Sequence, residues 1–398
     1  MTGLLEEAKS LLPHMTAVRR ALHRVPELGP NLPRTQQAVL TALEGLPVSV
    51  APGTALSSVT AVLEGTAPGP TVLLRGDMDA LPLTEETGLP YASTVAGAMH
   101  ACGHDLHTAM LYGACRLLAA RREQLAGRVV FMFQPAEESG GGALRMIDEG
   151  VLDGVSAAFA LHVTTRFPTG TLHLRPGAMF AASDRIRITV RGRGGHASAP
   201  HLALNPIPVA CAITQALQGL VPATVDACEP AVVTITRFES GTASNVIPER
   251  AELHGTMRTL TPDARQAVRT AVRRLASGIA AVHGAHAETD LTEGYPPVLN
   301  DPAMTATVTG AAESVLGRGA VARLPAPFMG AEDFSYVLQR VPGVMAFLGA
   351  RPPGTPPDAA DDCHSNRVVF DEETMAAGAA VHAAVALRHL DQGARRAE

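Results

Sequence analysis

Three apolar runs constrain this chain more than any other feature. Thr71-Val-Leu-Leu, Arg128–Gln134 (RVVFMFQ) and Val155–Val163 (VSAAFALHV) are continuous rather than alternating. Strands covered on both faces read this way. Between them lie an amphipathic helix, Leu106–Arg122, and a second helix, Ala143–Glu149, after a Gly-rich turn. Ahead of them, Ala55–Leu63 reads as a short strand. Residues 1–45 are helical: Leu4, Leu5, Ala8, Leu11 and Leu12 recur at helical spacing, and Gln36 to Ala42 form a second stretch. Strands alternating with helices predict an α/β fold with a mixed, largely parallel sheet and helices on both faces.

The pattern changes after Pro176. Asp184–Arg191 (DRIRITVR) alternates, with Ile186, Ile188 and Val190 on one face. A helix (Pro206–Leu220), two strands (Ala231–Glu239, Arg250–Thr259), a helix (Pro262–Val282) and a strand (Ala287–Thr292) follow. That β-α-β-β-α-β order is ferredoxin-like. The α/β pattern resumes after Tyr295 with a helix (Met304–Leu316), a strand (Val344–Leu348) and an Ala-rich helix (Glu372–Leu390). The expected organisation is a catalytic domain of residues 1–180 and 296–398 interrupted by an inserted α+β domain, 181–295.

The balance of 32 basic against 38 acidic residues, with no basic block, argues against nucleic acid as a partner. No apolar run is long enough to span a membrane, and Met1–Lys9 lacks the basic start and apolar stretch of a secretory signal. Five scattered cysteines do not form a disulfide framework. A cytoplasmic protein is expected.

Titratable groups gather where predicted strands end, which is where open α/β sheets bind ligands. Asp77 and Asp79 follow TVLLRG. His100-Ala-Cys102-Gly-His104-Asp105-Leu-His107 packs three His, a Cys and an Asp into eight residues. Imidazole and thiolate suit zinc-like ions. A thiol hydrolase with Cys102 as nucleophile and a His as base is the competing reading. Glu137 and Glu138 follow RVVFMFQPA. Adjacent carboxylates would repel in a crevice, so a cation is the natural compensation; one can ligate while the other serves as general base. His162 ends a strand and His364 follows a Pro-rich loop, completing a set of one Cys, three His and one Glu. Taken singly, each of these residues could equally be a buried structural His or an exposed acidic turn.

The stretches LLRGDMDALPLTEETGLPYAS, GAMHACGHDLHTAML, VVFMFQPAEESGGGALRMIDEGVL, GRGGHASAPHLALNPI, NVIPERAELHGTMRT, MGAEDFSY and HSN resemble metal-dependent amidohydrolases of the aminoacylase–carboxypeptidase superfamily. Within it, they are most similar to the branch of hippurate, N-acyl-amino-acid and auxin-conjugate hydrolases. The resemblance implies metal ligands at Cys102, His104, Glu138, His162 and His364, a catalytic base at Glu137, and an orienting acid at Asp79. It implies substrate contacts at His196, Asn245 and Arg258, the first reaching a neighbouring subunit's site. Leu106 and Asn366 stand where the family shows Gly and Pro; neither is a ligand.

The expected activity is hydrolysis of N-acyl amino acids by activated water. Carboxypeptidase or dipeptidase action is the rival within the class, and a thiol hydrolase or a non-catalytic metal-binding protein the rivals outside it. Two divalent ions per subunit are expected, zinc first, with manganese, cobalt or nickel as alternatives. The expected assembly is a homodimer through the inserted domain, or a larger homo-oligomer.

Overall fold

A computed structural model describes residues 3–397. Residues 1, 2 and 398, which begin and end the expected helices and domain, lie outside the described residues. The chain divides into two compact units. One comprises the residues up to Met179, Leu299–Ala326 and Asp333 onward; the other is Phe180–Val298 with Pro327–Glu332.

The first unit is built on an eight-stranded sheet in the order Ser49–Pro52, Val59–Glu64, Ala126–Gln134, Ala67–Asp77, Ala157–Pro168, Gly343–Arg351, Leu172–Leu174, Val321–Arg323. The four central strands run parallel to their neighbours. The two strands on the Ser49 side add antiparallel, as does Leu172–Leu174 against Gly343–Arg351. The sheet is therefore mixed and largely parallel. The three runs singled out in the sequence form its buried centre: Val72 to Leu74, Phe131 and Phe159 are sealed from solvent.

The strand expected at Ala55–Leu63 begins only at Val59. Residues 53–58 form a tight turn closed by Gly53 N–H to the Ser58 carbonyl at 2.9 Å, which removes them from the ladder. The first helical stretch is two helices, Leu4–Arg24 and Pro33–Leu43. The final helix, Thr374–Ala397, buries Ala376, Ala379, Ala380, Ala383 and Ala384, so it is covered nearly all round. Its small residues permit close approach to His104–Ala119: a Cβ on Gly378 would sit 2.0 Å from Met110 Sδ.

The second unit carries a four-stranded antiparallel sheet in the order Ala231–Ser240, Arg250–Thr259, Ala182–Arg191, His286–Glu293. Ile186, Ile188 and Val190 join Val209, Ile213, Val268 and Val272 of helices Pro206–Gln218 and Pro262–Val282 in one core. The alternation read from DRIRITVR thus faces two helices, and the strand order is the ferredoxin-like one. No helix among the described residues is long and apolar enough to cross a membrane.

Candidate metal centre

Strand Ala67–Asp77 pairs with Ala126–Gln134 on one side and Ala157–Pro168 on the other. Strand order reverses there, and an open α/β sheet leaves a crevice beyond the carboxyl ends of such strands. Asp77 ends the first of these strands and Glu137 and Glu138 follow the second, whereas His162, expected at a strand end, lies inside the third, which continues to Pro168.

Helix His104–Ala119 starts in the same crevice. Its first turn follows Gly103, which has φ +82° and no room for a side chain: a Cβ would meet Val163 Cγ2 at 2.3 Å. Only glycine satisfies both demands, so Gly103 lets Cys102 and His104 lie on either side of the turn.

Cys102 Sγ lies 3.4 Å from His162 Nε2. His162 donates from Nδ1 to the Val163 carbonyl at 2.7 Å, which leaves Nε2 as the lone-pair nitrogen, turned to Cys102. Burial lowers the His162 pKa to about 4, so the ring is neutral. Glu138 Oε1 lies 3.1 Å from His364 Nε2 and 3.9 Å from His104 Nε2. The potential ligand atoms of Cys102, His104 and His162 all lie within 4.8 Å of one another, as do those of Cys102, Glu138 and His364. Cys102 belongs to both triads, so the structure brings all five sequence-nominated ligands together around one sulfur.

These residues fit a pair of divalent cations. Both ring nitrogens of His104 and the Glu138 Oε1 atom are buried and make no well-aligned hydrogen bond among the described residues, only ion-pair approaches such as those to Asp79 and His364, a costly arrangement for buried polar atoms. Burial would lower the His104 pKa, but Asp77, Asp79 and Glu138 together push it up to about 10, which records how much negative charge converges here.

Asp79 accepts the backbone N–H groups of Glu137 and Glu138 at 3.0 and 3.1 Å and lies 3.4 Å from His104 Nδ1. It therefore fixes both acids and one imidazole. Ala136, just before the acids, has φ +60°, and His364 has φ +72°; these are the only non-glycine residues with positive φ among the described residues. Both sit at the centre, where such backbone strain commonly collects.

Asp77 does not share the role of Asp79. It instead serves a buried network. It accepts from Arg75 Nη1 at 2.5 Å and bonds His107 Nδ1 at 2.6 Å. Burial would raise the Asp77 pKa, but Arg75, His104 and His107 hold it well below the usual carboxylate range. Arg75 also reaches Gln134 and Asp333, and Gln134 bonds both Asp333 oxygens at 2.8 Å. His107 accepts the Val163 N–H on Nε2 at 2.8 Å, so both of its nitrogens are engaged.

A second buried network lies largely outside the sequence clusters. Asp105 accepts from Arg19 Nε at 2.7 Å and bonds His23 Nδ1 at 2.8 Å; Arg19 also reaches Glu372, and His23 lies 3.3 Å from Glu85. Asp105, buried beside the ligand residues, was the only local hint; its partners come from residues 19, 23, 85 and 372.

His196, Asn245 and Arg258 belong to the second unit. His196 is exposed, and its Nδ1 accepts from Ser198 N–H at 3.1 Å. It pairs with Val246 in a two-stranded ribbon, and Ala197 N–H donates to the Asn245 carbonyl at 3.0 Å, so His196 and Asn245 are neighbours. Arg258 stands on Arg250–Thr259, half-buried, with Nη1 donating to the Met257 carbonyl at 3.1 Å.

Comparison with known proteins identifies the family. A thermostable carboxypeptidase of Saccharolobus solfataricus is 38% identical over 93% of this chain and 94% of its own length. An N-acetylcysteine deacetylase of Bacillus subtilis is 39% identical over 94% of this chain and 96% of its own. The crystal structure of a Bacillus subtilis dinuclear metal binding peptidase from the M20 family superposes with a TM-score of 0.86 at 36% identity, covering 96% of this chain and 99% of that one. Residues 73–388 match peptidase family M20/M25/M40. The chain belongs to this family and is a metal-dependent amidohydrolase.

Proposed function

We propose that the protein hydrolyses the amide bond of N-acyl amino acids, releasing the free amino acid. The observation that carries this reading is the convergence of five donor residues beside a buried glutamate whose backbone is fixed by Asp79. Cys102, His104, Glu138, His162 and His364 are assigned as the residues that would hold two divalent cations. Such cations supply Lewis acidity, polarising an amide carbonyl and lowering the pKa of water towards neutral. The Cys and His content favours zinc, with manganese, cobalt or nickel as alternatives.

Glu137 is the general base: it takes a proton from the attacking water and returns it to the departing amine. Asp79 positions that carboxylate and the adjacent ligand. His196 is assigned to the oxyanion, reached from the partner subunit of a homodimer formed through the inserted domain. Asn245 and Arg258 are assigned to the substrate carboxylate, which a guanidinium can grip bidentately. A cytoplasmic setting completes the reading.

Deacetylation of N-acetylcysteine and carboxypeptidase action both cleave an amide whose amine side bears a free carboxylate, which supports that substrate class. Cys102 is a poor candidate nucleophile. The neighbouring Cys363, its burial and the nearby Glu138 and Glu137 push its pKa well up, whereas a thiolate nucleophile needs it lowered.

The test is a panel of N-acetyl, N-benzoyl and dipeptide forms of several amino acids on protein of defined metal content. Turnover of the N-acyl forms that disappears on chelation and returns with metal is expected. Turnover confined to dipeptides would replace this reading with a dipeptidase. Turnover that survives chelation would overturn it.

A further inference from the structure

Cys363 immediately precedes His364 and has no part in the mechanism above. It is one of the groups near enough to Cys102 to push that thiol's pKa up. The backbone explains the proximity. His364 N–H donates to the Ala101 carbonyl at 2.8 Å, so the residue after Ala101 and the residue before His364 are brought side by side. Both sulfurs also meet one stretch of strand Ala157–Pro168: Cys102 Sγ lies 3.4 Å from His162 Nε2, and Cys363 Sγ donates to the Val163 carbonyl at 3.7 Å. Neither cysteine is in a disulfide; Cys102 is buried and Cys363 half-buried. An oxidant therefore has access to Cys363 first, with a second thiol already against it.

We propose that Cys102 and Cys363 form a reversible disulfide when the protein meets a peroxide, and that this bond closes the metal centre by removing the Cys102 thiolate from the donor set. In the first step the Cys363 sulfur attacks the peroxide O–O bond, giving a sulfenic acid and one water. In the second the Cys102 sulfur attacks the sulfenic sulfur; the S–S bond forms, the S–O bond breaks, and the hydroxyl leaves with the Cys102 proton as a second water. Two electrons pass from the two thiols to the peroxide, and a dithiol reductant reverses the change by thiol–disulfide exchange. A sulfur committed to a disulfide is no longer an anionic ligand, so metal and disulfide exclude one another. Metal-loaded protein should accordingly oxidise more slowly than metal-free protein. The loss of metal rests on the assignment of Cys102 as a ligand; the disulfide itself does not.

The experiment uses the full chain carrying Cys211→Ser and Cys228→Ser, which removes the two exposed thiols. Metal-loaded protein is treated with hydrogen peroxide, quenched with an alkylating agent, digested without reduction and mapped by mass spectrometry, with bound metal measured in parallel. The expected product is a Cys102 peptide joined to a Cys363 peptide, two hydrogens lighter than their sum, appearing as metal is released. Dithiothreitol should restore both thiols and metal uptake. Adding Cys363→Ser should abolish the linkage and slow metal release several-fold, with any residual loss not reversed by dithiothreitol. Thiols consumed without a Cys102–Cys363 linkage would overturn the proposal, as would Cys363→Ser protein that releases metal reversibly at the parent rate. A disulfide that forms at constant metal content would overturn closure of the centre and also the assignment of Cys102 as a ligand. Failure of the disulfide to form would leave that assignment standing.

Discussion

Asp79 holds the Glu137 backbone N–H on one carboxylate oxygen at 3.0 Å while its other oxygen takes the N–H of Glu138 at 3.1 Å. Two adjacent acids are thereby held in one register although their side chains serve different ends. Glu138 turns to His364 and His104, while Glu137 is the residue proposed to move protons.

Replacing Glu137 with Gln keeps the shape and the backbone bond to Asp79 but removes the base. Turnover should fall on the order of a hundred-fold or more. Bound metal, measured by elemental analysis, should stay near wild type. Near-normal kcat with metal in place would refute the assigned role.

Asp79→Asn presents an NH2 group to a site lined by two backbone donors. One of the two N–H bonds is lost, and the contact with His104 weakens. A ligand-orienting residue of this kind typically contributes about 10–100-fold in metal affinity or activity. Titration with a metal-competing chelator should register that loss. Unchanged affinity and unchanged kcat together would show that the two N–H bonds are incidental.

His23 makes stability depend on pH. Burial alone would lower its pKa, but Asp105 and Glu85 outweigh it and raise the value to about 9 from an ordinary 6.5. The folded protein thus holds the His23 proton more tightly than the unfolded chain does. The resulting stabilisation is complete below about pH 6.5 and is lost as pH rises through about 9. Denaturant midpoints of wild type and His23→Asn should differ most at acid pH and converge towards pH 9. A gap that is constant across this window would mean that His23 acts by packing alone.

If His196 completes the site of the partner subunit, two dead proteins can rescue one another. Mixed Glu137→Gln and His196→Ala chains form hybrid dimers in which one site retains both groups. Activity should reappear on subunit exchange. Chains shown by mass to exchange, yet inactive in the mixture, would assign His196 to its own subunit.

The sequence by itself determined the elements and the chemical types at the centre. Continuous runs such as Arg128–Gln134 must be buried on both faces, and the alternation of Ile186, Ile188 and Val190 must face a core, because side-chain period and burial are local properties of the chain. The density of His, Cys and Glu near predicted strand ends marked the clusters, and the family resemblance selected Cys102, His104, Glu137, Glu138, His162 and His364 within them. Tertiary structure decided what each of those groups does. His107 has the composition of a ligand, yet Asp77 and the Val163 N–H occupy both of its nitrogens. Arg19 and His23 carry no motif, yet they neutralise Asp105 from 86 and 82 residues away. Ala136 and His364 adopt left-handed backbone that non-glycine residues seldom enter. Cys363 becomes a neighbour of Cys102 only through the Ala101–His364 hydrogen bond. Partners brought together by chain closure leave no periodic trace, because their pairing energy depends on burial and geometry that exist only once the sheet has formed.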